Sequence, residues 1–356
     1  MRALAPLLLL GALACSKGDD PAASGGNNGG TTPPTQPATT TFTNPLLASG
    51  PDPWVAQKDG FYYFLATTGN NVTIRKTAKM SDLPTAPSTI VWTPPAGGGD
   101  NANNIWAPEL HYLDGKWYIY YTAGPSNQAC CGGQRSWVLE NSNADPTQGT
   151  WTPKARLAVS GQDYWSIDMT VLELNGQRYA LWSGQEPGSD QQNIYISAMS
   201  NPYTLTGPRT LLSKPELSWE LNGYPKVNEG PEALQHDGKT FIVYSASHCS
   251  TDDYALGLLT LTGSNPLDAS AWRKSQTPVF VKNPGNRAYG PGHNGFFKSK
   301  DGSQDWLIYH ANNNPGEGCG NPRNPRMQQF TWNADGSPNF GTPVAISTPL
   351  AKPAGE

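Results

Sequence analysis

Five stretches of this chain repeat one layout: a polar or acidic start, a short apolar strand, a turn closing on Gly, and a second strand rich in aromatics. The starts are Asp52-Pro-Trp-Val, Pro108-Glu109-Leu-His-Tyr-Leu, Ile167-Asp168-Met-Thr-Val-Leu, Glu229-Gly-Pro-Glu-Ala-Leu and Gly292-His293-Asn-Gly-Phe-Phe. The turns are Asp59-Gly60, Asp114-Gly115, Asn175-Gly176, Asp237-Gly238 and Asp301-Gly302. Asp-Gly or Asn-Gly between apolar strands is a strong hairpin signal, because the tight turn needs positive φ at its centre. One such pair marks only a turn. Five with glycine steps of 55, 61, 62 and 64 residues mark a repeat. The span from about Phe42 to Leu350 divides into five units of roughly 62 residues, room for four strands and their loops. An all-β fold is expected, a five-bladed β-propeller whose blades each line the central channel with their first strand.

Composition agrees. Charged residues are 15% of the 356, against roughly 25% in ordinary soluble domains, while Gly (38), Pro (33), Trp (12) and Tyr (15) are abundant. A net charge of −4 without a Lys/Arg block argues against nucleic acid, which is bound through cationic contacts to phosphate. No apolar run reaches the roughly 18–20 residues that span a bilayer.

The first 14 residues carry one charge, Arg2, then an apolar run through Leu7-Leu8-Leu9-Leu10 and Ala12-Leu13-Ala14, followed by Cys15. This is similar to a bacterial lipoprotein signal, in which the Cys is acylated and becomes the mature N-terminus. Residues 16–41 hold no Leu, Ile, Val, Met or aromatic, so they bury nothing that could offset the entropy of ordering them. The expected organisation is a signal peptide over 1–14, a lipid-anchored linker over 15–41 and a propeller domain over 42–356. The protein is thus expected to be exported and held at the cell envelope through Cys15. Cys130, Cys131, Cys249 and Cys319 permit two disulfides in such a compartment, but the sequence leaves their pairing open.

With equivalent blades, residues six to nine positions before each turn glycine converge on one end of the channel: Asp52, Glu109, Asp168, Glu229 and His293. Four carboxylates in a partly enclosed site repel one another and shift pKa values upward. Paired carboxylates perform glycoside hydrolysis, one protonating the leaving oxygen and one activating water. Motifs of other hydrolases and of nucleotide binding are missing: G-x-S-x-G, H-E-x-x-H and G-x-x-x-x-G-K-[ST]. The histidines show no metal-ligand spacing, so no metal is expected in the chemistry. Calcium binding or salt bridging by these acids is the alternative.

At these residues the chain resembles glycoside hydrolase family 43, over essentially all of Asn44 to Val344. Ser49-Gly-Pro-Asp52-Pro-Trp resembles the segment carrying the catalytic base. Trp165-Ser-Ile-Asp168 resembles that of the acid tuning the general acid, and Asn228-Glu229-Gly-Pro-Glu232 that of the general acid itself. Ile105-Trp-Ala-Pro-Glu-Leu-His111, Tyr289-Gly-Pro-Gly-His-Asn294 and Arg326-Met-Gln-Gln-Phe-Thr-Trp332 resemble the branch containing exo-acting α-L-arabinofuranosidases of α-1,5-linked arabinan. Cys130-Cys131-Gly-Gly, in a rim loop, departs from that pattern.

The resemblance implies an inverting hydrolase with Asp52, Asp168 and Glu229 as its acids and an arabinose-containing saccharide as substrate. Endo-arabinanase and β-xylosidase are rivals within the family; a non-catalytic carbohydrate-binding propeller is the rival outside it. Trp54, Trp106 and Trp165 are candidates to pack on a sugar face or to fill the core. Glu109 is placed to bind a hydroxyl or pair with a neighbour. His293 is placed to orient a water, help hold a calcium ion as in relatives, or serve as a core histidine. Arg326 is placed to hold Asp168 or the sugar. No cofactor is expected for the chemistry, and a monomer is expected.

Overall fold

The computed structural model describes residues 40–128 and 130–356. The signal segment, Cys15 and all but the last two residues of the linker lie outside the described residues. Strand β1 (Thr41–Phe42) precedes the first blade, β2 (Trp54–Lys58), β3 (Phe61–Leu65), β4 (Val72–Thr77) and β5 (Ser88–Trp92). Blade two is β6 (Asn103–Leu113), β7 (Lys116–Gly124), β8 (Arg135–Asn141) and β9 (Thr152–Arg156). Blade three is β10 (Ser166–Leu174), β11 (Gln177–Gly184), β12 (Asn193–Asn201) and β13 (Thr204–Ser213). Blade four is β14 (Asn228–His236), β15 (Lys239–Ala246), β16 (Ala255–Leu261) and β17 (Trp272–Lys274). Blade five is β18 (Tyr289–Lys298), β19 (Asp305–Asn312), β20 (Asn324–Trp332) and β21 (Pro338–Asn339). Each blade is an antiparallel meander in sequence order, and the five-bladed propeller read from the repeats is the fold.

Four of the five hairpin turns have both central residues at positive φ, Asp59 and Gly60 among them, as Asp-Gly and Asn-Gly allow. In the fifth, Asp301-Gly302 sits inside a longer loop between β18 and β19.

Five apolar clusters hold the ring, one at each blade interface. Tyr63 and Ile74 of blade one meet Trp117 and Ile119 of blade two, for example, and Val243 and Leu258 of blade four meet Leu307 and Tyr309 of blade five. Burying one such large side chain contributes about 1.5–3 kcal/mol, so the aromatic second strands weld each blade to its neighbours.

The ring closes by packing, not by exchanging a strand. Blade five is built wholly from its own segment, and β1 pairs outside the blades with β22 (Leu350–Ala351). At the seam Phe42, Val55 and Tyr62 pack on Phe297, Trp306 and Met327. The Asn44 side chain donates to the Met327 carbonyl at 2.9 Å and accepts from its amide at 3.0 Å. The cysteines pair as Cys130–Cys131, within the rim loop of blade two, and Cys249–Cys319, between blades four and five.

Candidate active site

One backbone feature organises the channel mouth. Eight residues before the turn glycine in blades one to four, and nine in blade five, a residue takes the left-handed conformation: Asp52 (φ 55), Ala107 (φ 40), Asp168 (φ 55), Gly230 (φ 52) and His293 (φ 48). In blades two to five this residue sits inside a register shift of the inner strand. Such a bulge bends the strand and re-aims its side chains.

The amide of each left-handed residue donates to a side chain of the preceding blade. Ala107 N–H reaches Thr67 Oγ1 at 2.7 Å, Asp168 N–H reaches Thr122 Oγ1 at 3.2 Å, and His293 N–H reaches Ser245 Oγ at 2.8 Å. Asp52 N–H closes the circle on His310 Nδ1 at 3.1 Å. Gly230 N–H likewise reaches the preceding blade, donating to the Asp168 carboxylate at 3.1 Å. Residues from all five blades are thereby fixed around one axis.

The equivalence expected from the repeat therefore holds for Asp52, Asp168 and His293, and needs correction for two acids. Glu229 precedes its left-handed glycine by one residue. Glu109 follows Ala107 by two, level with Glu232 six residues before its own turn glycine. A bulge shifts which residue faces the channel, and residue counting does not see it.

Asp52 is buried, with a guanidinium, a hydroxyl and two imidazoles set against its carboxylate. Thr67 Oγ1 donates to Oδ2 at 2.6 Å, Arg323 Nη1 donates to Oδ1 at 2.7 Å, and His293 and His310 each place Nδ1 3.4 Å from Oδ1. Burial alone would raise its pKa. Arg323, then the two histidines and Thr67, outweigh it and hold this carboxyl well below the usual range. Its ionised form is thereby favoured.

Glu229 has the opposite character. Burial pushes its pKa up to about 7, Asp52 adds to the rise, and the Tyr254 hydroxyl, donating to Oε1 at 2.8 Å, opposes it. Asp168 is raised as well, by burial first and then by Glu229 and Asp52. Two adjacent acids with raised values titrate as one unit, so this pair keeps a proton near neutrality. The site thus presents an ionised carboxylate opposite a protonated acid, the arrangement for taking a proton from water while giving one to a leaving oxygen.

A second layer lies beneath. Glu109 accepts from His111 Nε2 at 2.9 Å, and His111 packs against the Trp54 ring with centroids 4.8 Å apart. Glu232, 3% exposed, has its pKa raised well above the ordinary value by burial and by Glu109, and its Oε2 accepts from Thr170 Oγ1 at 3.4 Å. Asp52, Trp54, Glu109, Glu232 and His293 line one narrow cavity at the axis. Glu109 is thus paired with a neighbour, His111.

The model of glycosyl hydrolases family 43 matches residues 42–338. The chain belongs to this family. It is 43% identical over 317 residues to an extracellular exo-α-(1→5)-L-arabinofuranosidase of Streptomyces avermitilis, covering 86% of this chain but only 64% of that protein. A protein of the same name from Streptomyces chartreusis is 42% identical over 281 residues, 77% of this chain and 84% of the relative. Among solved structures, the α-L-arabinofuranosidase of Lactobacillus brevis superposes with a TM-score of 0.80 at 37% identity, covering 86% of this chain and 98% of that one.

Within this family-43 site, the remaining expectations divide. Trp54 lines the axial cavity, anchored by its Nε1–H to the Leu110 carbonyl at 3.0 Å. Trp106 is half-buried beside Ala107, paired across the sheet with Thr122. Trp165 is half-buried, and its Nε1–H donates to the Cys131 carbonyl at 2.7 Å. That bond ties the unmatched Cys130-Cys131 loop to the strand bearing Asp168.

Arg326 does not meet Asp168. It is fully buried in blade five, its guanidinium donating to Asn324 Oδ1, the Arg287 and Asn312 carbonyls and Asn313 Oδ1. The arginine at the site is Arg323, three residues earlier. His293 faces Asp52 at the axis. Among the described residues, the donors gathered closely enough for a metal are His248, Cys249 and Cys319, and the two cysteines are already a disulfide.

Arg323, His310, Tyr254 and Thr67 were not singled out from sequence. Only Glu232 carried a local signal, as the second acid of Glu229-Gly-Pro-Glu232.

Proposed function

We propose that this protein is an exo-acting α-L-arabinofuranosidase that releases terminal arabinofuranosyl residues from α-1,5-linked arabinan or its oligomers, with inversion. The carrying observation is the opposed protonation of Asp52 and Glu229 at one channel mouth; the names of the Streptomyces relatives support the substrate.

Water attacks the anomeric carbon while Asp52 takes its proton. The bond from that carbon to the leaving oxygen breaks, and Glu229 protonates the oxygen. Asp52 ends the turnover protonated and Glu229 ionised, and solvent restores both. Asp168, whose carboxylate holds the Gly230 amide next to Glu229, shares the pair's proton, so that one stays available until the leaving oxygen claims it. Inversion needs room for the water between base and acid, roughly 6.5–9.5 Å in enzymes of this type.

Export followed by acylation at Cys15 would place a monomeric enzyme at the cell envelope. The extracellular label of the relatives supports export, and the residues before Cys15 support the lipid.

A product profile tests the activity. Arabinose alone from linear arabinan is the expected result, and proton NMR of an early time course is expected to show the inverted anomer. An oligomer ladder points to endo action, and preference for an aryl β-xyloside to a xylosidase. Saccharide binding without turnover points to a binding propeller. A Cys15→Ser form is expected to leave the membrane fraction.

A further inference from the structure

Arg323 is delivered by a loop, residues 313–323 between β19 and β20, and that loop is fastened from outside its own blade. Cys319 is bridged to Cys249 in the β15–β16 loop of blade four, 70 residues away in sequence, with Cα atoms 5.0 Å apart. Beside the bridge, Gly316 N–H donates to the Asp252 carboxylate at 2.8 Å. The rest of the loop folds on itself, Glu317 accepting from the Asn313 and Asn314 amides at 3.0 and 3.1 Å.

The residue after the bridged cysteine is the one that grips the arginine. The Gly320 carbonyl accepts from the Arg323 amide at 3.3 Å and from its Nε–H at 3.2 Å. The opposite end of the same guanidinium donates to Asp52. Disulfide, Gly320 and Arg323 form one short chain of contacts ending on the base.

We infer that the Cys249–Cys319 bridge is a positioning element for catalysis: it fixes Gly320, and through it aims the Arg323 guanidinium at Asp52. This rests on the reading of Asp52 as the base. A disulfide that served only to restrain the unfolded chain would change stability and leave the site's titration alone.

The charged and titratable groups facing Asp52 are Arg323, His293, His310, Glu229, Asp168 and the Tyr254 hydroxyl. Both histidines come from strands β18 and β19, Asp168 and Glu229 from β10 and β14. Arg323 alone rides on the bridged loop of blade five. Tyr254 closes the blade-four loop that carries Cys249, and it faces Glu229. Releasing the bridge therefore acts on the base through Arg323, and the base's limb of the pH profile moves toward higher pH.

The test is the pH dependence of kcat/KM for a Cys249→Ser/Cys319→Ser enzyme on an aryl α-L-arabinofuranoside. The acid limb is expected to rise from far below the ordinary carboxylate range by about 1–3 units, and kcat to fall roughly tenfold with a smaller change in KM. Arg323→Gln is expected to move the same limb, and combining it with the serine pair to move it no further, because the two act in series. An unmoved limb with a lower Tm overturns the proposal and leaves a plain staple. Should the serine variant not fold, brief reduction of folded Cys130→Ala/Cys131→Ala enzyme, compared with itself before reduction, gives the same reading. Asp52→Ala separates the two levels. If it is active, Asp52 is not the base; if it is inactive while the limb stays put in the bridge variant, only the bridge's role is lost.

Discussion

Arg323 and Asp52 lie 271 residues apart in sequence, and the guanidinium donates to the carboxylate at 2.7 Å across the seam where blade five meets blade one. The surroundings of the proposed base are therefore assembled only when the ring closes. His293 and His310 approach Asp52 from the same side of that seam, so blade one contributes the carboxylate and blade five most of its surroundings. Arg323→Gln is expected to leave the fold intact and raise the base's pKa, because the largest cationic influence on Asp52 is gone while its burial remains. Activity is then lost at acid pH, where Asp52 becomes protonated, and retained better above neutrality. Arg323→Lys keeps a charge without the planar fork and is expected to lie between the two. A pH–rate series on folded protein decides it.

Glu229 is expected to matter most when the leaving group is poor. Glu229→Gln removes the proton donor and keeps a similar shape, so turnover of arabinan should drop by roughly 10²–10⁴. An aryl arabinoside with an acidic phenol departs without protonation and should lose far less. Asp52→Ala should abolish both, since either substrate needs the water activated. Equal losses for the two substrates in Glu229→Gln would remove this residue from proton donation.

Asp168, Glu229 and Glu232 share an upward shift with burial as its main cause. The unfolded chain ionises such groups near pH 4, the folded chain only at higher pH. The stability they contribute is complete below the unfolded value and is lost as pH rises through the raised folded values. Asp52 has the opposite sign, its contribution being present above the unfolded value and lost only as pH falls through its depressed folded one. The Tm is thus expected to fall between pH 5 and pH 8. Glu232→Gln replaces an acid that must stay protonated beside Glu109 with an amide that has no such need. It should flatten that fall by ~2–4 °C for each kcal/mol recovered, and calorimetry across the range measures it.

What could be read from sequence follows from how local its cause is. The five turns depend on adjacent Asp-Gly or Asn-Gly residues, so the propeller was legible. Asp52 and Asp168 were legible because both occupy the left-handed position eight residues before a turn glycine. Glu229 was placed by its motif, since the bulge at Gly230 moves it off the common register. Arg326 was legible through the motif Arg326-Met-Gln-Gln-Phe-Thr-Trp332, whereas Arg323 belongs to a loop whose target is 271 residues away. His310 and Tyr254 have the same history: their contacts are made between blades, and nothing beside them in the chain announces the partner. The disulfide pairing was open for the same reason.

Gly230 shows how little room the site leaves. Its φ is +52, its N–H holds the Asp168 carboxylate at 3.1 Å, and a Cβ there would stand 3.2 Å from His293 Nδ1. Left-handed backbone alone does not demand glycine here, because Ala107 and Asp168 occupy the matching position in their blades. The contact with His293 is the deciding difference. His293 cannot yield easily, being pinned through its own amide to Ser245 and faced by Asp52. Gly230→Ala is expected to cost about 1–3 kcal/mol of stability and to lower kcat more than it changes KM, since Glu229 is the next residue and Asp168 hangs on the displaced amide. Ala107→Gly, the converse change in blade two, should be close to neutral for turnover. Denaturation curves and steady-state kinetics on the two variants measure this contrast. Wild-type kcat in Gly230→Ala would show that neither the His293 contact nor the amide to Asp168 sets the position of the acid.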